Sequence, residues 1–165
     1  MDGYSIAEWG LAFTATASAA AALTGLLFVA ISINLKLIVS NPGLIARAIE
    51  VLVLLTAALA VSTLLLMPGQ PNAVAAAEIL TIAVTVSAAL AVIQLRTNRK
   101  ALPISDLAFA MRVAGAHSGP VFLAIGAISL IAQTGGGLYW VVPAILAMMV
   151  TSIIGAWVML VEILR

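Results

Sequence analysis

Seven Lys or Arg, six Asp or Glu and one His supply almost all the ionisable chemistry of this 165-residue chain, and Cys is absent. Four of those groups, Glu50, Glu78, Arg112 and His117, fall well inside long apolar runs. At membrane depth an ionisable group costs ~2.5 kcal/mol or more, so it needs a partner or a wet cavity and is a functional candidate by default. His117 sits in His117-Ser118-Gly119-Pro120, where the proline lacks an amide hydrogen and obstructs the carbonyl of Ala116, so a kink is expected beside the imidazole. A kinked helix at the midplane exposes backbone polar groups to an ion or substrate, and histidine can change charge near neutral pH. His117 and Ser118 are therefore candidates for a ligand or pore site. The alternative is a neutral histidine bonded to a neighbouring Ser or Thr.

Glu78 is a second candidate, with Thr81 and Thr85 on the same helical face and no cation expected at its depth. It is protonated, placed in a water-filled vestibule, or raised to the outer interface by a displaced helix. The vestibule would make it a cation-attracting entrance. Arg112 lies five residues, or ~7.5 Å and roughly 140° of helix, from His117, so one groove cannot easily hold both. An ion pair of Arg112 with Glu50 is expected, with Arg47 as a competitor three residues before Glu50. Interfacial solvation accounts for Asn34, Lys36 and Glu162 near span ends.

Other chemistry is set aside. One histidine and no cysteine leave no recognisable catalytic metal cage. There is no phosphate loop, dinucleotide fingerprint, zinc helix or nucleophile elbow. Ser118 adjoins His117, but helical neighbours point about 100° apart and no third orienting acid is evident. No enzyme activity, cofactor or metal is expected. A net charge of +1 disfavours a nucleic-acid partner, which needs a clustered basic surface.

The elements that must position these residues follow from composition. The chain is 64% hydrophobic and 8% charged, against roughly 25% charged in a soluble domain. Its apolar residues form five runs, each able to cross ~30 Å of hydrocarbon at 1.5 Å per residue. The predicted fold is all-α, a five-helix transmembrane bundle in a single domain, with spans at about 8–39, 44–67, 73–96, 105–133 and 138–164. Ser40-Asn41-Pro42-Gly43, Pro68-Gly69-Gln70-Pro71-Asn72, the segment Thr97 to Ile104 and Gly135-Gly136-Gly137 separate them. Ser105 is the expected N-cap of the fourth span, and Tyr139 and Trp140 are expected interfacial anchors of the fifth. The first run is read as a retained helix, because its leader carries Asp2 and Glu8 without a cation and the run outlasts a signal peptide. A β-barrel would need alternating strands instead of these continuous runs.

All seven cations sort to one side: Lys36, Arg47, Arg96, Arg99, Lys100, Arg112 and Arg165. The positive-inside rule makes that side cytoplasmic, with the N-terminus outside and the C-terminus inside.

Helices associate in lipid where small residues let backbones approach. The first span carries Ser18, Gly25 and Ser32 at seven-residue intervals, with Thr14 and Ala21 between, and the fourth carries Arg112, Gly119, Gly126 and Gln133. Each seam is either ordinary intrachain packing or a subunit interface or pore wall. Five spans cannot divide into two equal inverted repeats.

The run Ala21 to Leu35, AALTGLLFVAISINL, resembles the first helix of small bacterial membrane proteins sometimes labelled modulators of the FtsH membrane protease. The likeness covers about one span. It implies a bacterial inner (plasma) membrane and no functional residue, since the paired acidic residues near the C-terminus of the seven-span modulators are missing. Two functions are expected from the residues: a homo-oligomeric ion channel or small-solute pathway, or a non-catalytic regulatory or scaffolding subunit of a membrane complex. The expected partners are membrane lipid, further copies of the chain and another membrane protein.

Overall fold

A computed structural model describes residues 2–97 and 106–163, with side chains to Val161. Arg99, Lys100, Pro103, Ser105 and Arg165 lie outside the described residues, as does the side chain of Glu162. The described chain is helical with no strand: a 3-10 turn at Ile6–Trp9, then α1 (Gly10–Ile33), α2 (Leu35–Ser40), α3 (Pro42–Leu64), α4 (Asn72–Arg96), α5 (Asp106–Ala132) and α6 (Leu138–Ile163). Five of these helices are long and apolar enough to cross a membrane.

The first expected span is two helices, not one reaching Val39. At Asn34 the side-chain Nδ2 donates to the Ala30 carbonyl at 2.9 Å and the backbone leaves helical geometry, with φ −104° and ψ 14°. A short amide competing for the helix's own acceptor explains the interruption. The second span begins earlier than expected, at Pro42. Proline suits the first helical position, where its missing N–H has no partner to lose, and the Asn41 side chain caps the turn by accepting from the Gly43 amide at 2.9 Å.

Helices α3, α4, α5 and α6 pack in a ring, each against its two neighbours. The ring interior is filled by Leu54, Val61, Ile79, Leu90, Leu123 and Met148, all fully buried. Helix α1 stands outside the ring, packed along α3 through Phe13, Thr16, Ala20 and Leu27 and only lightly touching α6. Thr16 and Ser62 share a 2.9 Å hydrogen bond across the α1–α3 contact. The exterior stays apolar: Leu11 is 88% exposed, Leu95 85% and Ile33 77%. Exposed apolar surface on that scale marks faces suited to contact with lipid or with another protein.

One end of the bundle is knitted by the N-terminal segment. The Leu138 amide donates to Gly3 O at 2.8 Å, the Gly136 amide to the Tyr4 hydroxyl at 2.9 Å, and Asn72 Nδ2 to Tyr4 O at 2.8 Å. Trp9 donates from its indole to Asp2 O at 3.0 Å and meets Tyr139 edge to face at 4.8 Å. Gly136 and Gly137 have φ of 105° and 52°, and a Cβ on Gly137 would strike Gly3 O and the Tyr4 ring, so the α5–α6 turn requires glycine there.

Candidate functional site

Beside the Thr16–Ser62 contact, three side-chain pairs and one outward face carry the polar chemistry of the described helices. In the ring interior, Arg112 of α5 donates from Nε at 3.0 Å and from Nη2 at 2.7 Å to the same oxygen, Oε2 of Glu50 on α3. The side chains are 13% and 6% exposed. Helices α3 and α5 are diagonal members of the ring, so this ion pair reaches across it instead of along a packed seam. Glu50 Oε1 is buried with no hydrogen-bond partner among the described residues. Two desolvated charges held this way are mutually dependent, because removing either leaves the other uncompensated.

His117 points to a different helix from Arg112, as their angular separation requires. Its Nε2 lies 3.2 Å from Oε1 of Gln94 on α4. An amide oxygen only accepts, so with Oε1 in this position the imidazole is the donor, from Nε2. Ser118 donates to the Gly115 carbonyl at 2.7 Å, within its own helix. Helix α5 continues through Pro120, which is buried with Gly119. His117 and Ser118 therefore do not act on one another. Gln94 escaped the sequence reading because it lies two residues before Arg96 and reads as a polar helix end.

Glu78 is partly buried on α4, and its Oε2 accepts from Gln70 Nε2 at 2.6 Å. The α3–α4 turn thus lends an amide to this carboxylate. Glu78 and Thr81 line an open groove of about 550 Å³ beside Leu64 and Val74. Thr81 is exposed and donates to Ala77 O at 2.7 Å; Thr85 is exposed one turn further along. The structure places Glu78, Thr81 and Thr85 on the outside of the ring, well apart from His117.

The two seams part company. Gly119 and Gly126 are buried against α6: a Cβ on Gly119 would collide with Met148, and one on Gly126 would meet Val141 at 2.9 Å. Gln133 departs from that seam, with φ 53° at the end of α5 and its amide donating to Leu130 O at 2.7 Å. On α1 the residues Thr14, Ser18, Gly25 and Ser32 are all exposed, within about 40° of arc and about 140° from the face that packs on α3. Nothing lies within 4 Å of a Cβ built on Gly25. Thr14, Ser18 and Ser32 donate to carbonyls one turn back at 2.7 to 2.8 Å, so the donors are satisfied and each oxygen can still accept.

No known protein family, curated protein or solved structure matches this chain. Its own geometry is the ground for any functional reading. Among the described residues no cluster of His, Cys, Asp or Glu has the arrangement of a metal site.

Proposed function

We propose that the protein is a non-catalytic, multi-pass membrane subunit that works by lateral assembly, with the outward face of α1 meeting a second copy of the chain. The observation that carries this reading is the seam of Thr14, Ser18, Gly25 and Ser32, which none of the described residues covers. Small residues permit the close backbone approach that drives helix association in lipid, where hydrophobic burial gives no advantage. A seam that faces itself across a two-fold axis makes an isologous contact, the commonest form of oligomer. The proposed setting is a bacterial inner membrane, N-terminus outside and C-terminus in the cytoplasm. The one-sided cations and the likeness of Ala21 to Leu35 support it.

The absence of cysteine makes the test clean. Gly25→Cys in native membranes is expected to give an oxidatively crosslinked dimer. Val84→Cys, 61% exposed on α4, is expected to stay monomeric. Monomer alone from Gly25→Cys refutes the contact.

A second reading, that the assembly encloses an ion or small-solute pathway, has its own support. Glu78, Thr81 and Thr85 face outward from α4, and an oligomer that met at this face instead of at α1 would line its pathway with them, whereas the ring interior of one chain is packed with apolar side chains. Purified protein in liposomes separates the two. Flux that changes in Glu78→Gln, or whose pH profile shifts in His117→Ala, supports the pathway; inert liposomes containing the crosslinked dimer support assembly alone.

A further inference from the structure

The groove at Glu78 has a chemical character of its own. Its walls are Leu64, Val74, Ala77 and Ile82, and its polar lining is Glu78 and Thr81. Gln70 Nε2 is the hydrogen-bond partner of Glu78, and among the described residues no ion pair joins it to a cation. The sequence contains no Lys or Arg between Arg47 and Arg96. The Thr81 hydroxyl donates its hydrogen bond to Ala77 O, so it offers the groove lone pairs. Gln70 donates one of its two amide hydrogens to Glu78, and its own Oε1 is buried with no partner among the described residues. What the site lacks is a hydrogen-bond donor carrying positive charge. What its walls favour is hydrocarbon.

We propose that this groove binds an aminophospholipid, with the primary ammonium of the headgroup donating to Glu78 and an acyl chain lying along Ala77, Thr81 and Ile82. Glu78 is six residues, or about 9 Å, along α4 from its first residue Asn72, a depth that a headgroup reaches from the interface while its tail continues toward the centre. The charge complementarity selects a cation, and the acceptor-only lining selects one that bears N–H groups. A trimethylammonium headgroup satisfies the first condition and fails the second. The site is on α4, remote from the α1 seam, so the crosslinking result leaves it untouched.

The test is native mass spectrometry of the delipidated, full-length protein titrated with phosphatidylethanolamine, its N-methyl and N,N-dimethyl forms, and phosphatidylcholine of identical chains. Retention is expected to fall along the series chiefly at the last methyl, which removes the remaining N–H, by about tenfold or more, the size of one charge-assisted hydrogen bond. Glu78→Gln should flatten the series, and Val92→Ala, exposed on the same helix but outside the groove, should keep it. A flat series in the unsubstituted protein overturns the proposal without reliance on any variant. A gradient that survives in Glu78→Gln also overturns it, by placing the ammonium elsewhere.

Discussion

Helices α1 and α5 carry small residues in the same seven-residue rhythm, and the fold treats them in opposite ways. On α5 the rhythm is consumed inside the chain: Arg112 crosses the ring to Glu50, and Gly119 and Gly126 admit Met148 and Val141 of α6. On α1 the same rhythm is left facing outward, with open space around Gly25. The difference comes from position in the bundle. Helix α5 has ring neighbours on both sides, α4 and α6, whereas α1 has one substantial neighbour, α3, and reaches it with Phe13, Thr16, Ala20 and Leu27 on its other face. A small-residue seam is thus a place where a helix can be approached closely, and the topology decides whether the approaching helix belongs to the same chain.

The largest expected effect tests how completely the α5 seam is committed. Arg112→Leu should destabilise the bundle by about 3 to 5 kcal/mol, because Glu50 is left buried and uncompensated, and Glu50→Leu should do the same. The double variant should recover most of the loss, measured by thermal or denaturant unfolding in detergent. Losses that simply add would show that the two side chains stabilise the bundle independently.

Next in size is the pair of glycines. Gly119→Ala forces Met148 or the α5–α6 spacing to yield and should cost about 1 to 3 kcal/mol, as overpacking does in close-packed interiors. A neutral Gly119→Ala would mean that α6 can retreat freely and that the close approach is unimportant.

A smaller effect is expected where α5 meets α4. His117→Ala removes one hydrogen bond to Gln94 and should cost roughly 1 kcal/mol, and Gln94→Leu should cost a similar amount by leaving the imidazole N–H unmet. If Gln94→Leu is much more damaging than His117→Ala, the histidine has another task.

The smallest effect on stability, and the sharpest contrast, belongs to α1. Gly25→Ala should leave unfolding unchanged or raise stability by up to about 1 kcal/mol, since alanine favours a helix and no neighbour is displaced. Gly25→Leu should nevertheless abolish dimer formation, read with a single cysteine placed at Ser18. Dimers that persist in Gly25→Leu would turn the contact away from this face.

Much of this architecture is dictated locally. The five long helices and most of their bounds follow from the length of the apolar runs and from Pro and Gly in the turns, because hydrogen bonding within each helix satisfies its backbone whatever lies beside it. The Arg112 to Glu50 contact was legible for a related reason: two buried charges of opposite sign and similar depth have few other ways to be compensated. Local chemistry also hides things. The interruption at Asn34 turns on one side-chain amide bonding back to Ala30, and the stitching of residues 2–9 over the Gly136–Gly137 turn joins segments more than 120 positions apart. Only the tertiary structure decided which seam is buried, that Glu78 stands on the rim with Gln70, and that His117 meets Gln94. Those outcomes depend on which helices share the ring and how each is rotated in it. In a chain whose apolar residues cover every side of its helices, no polar face records that rotation.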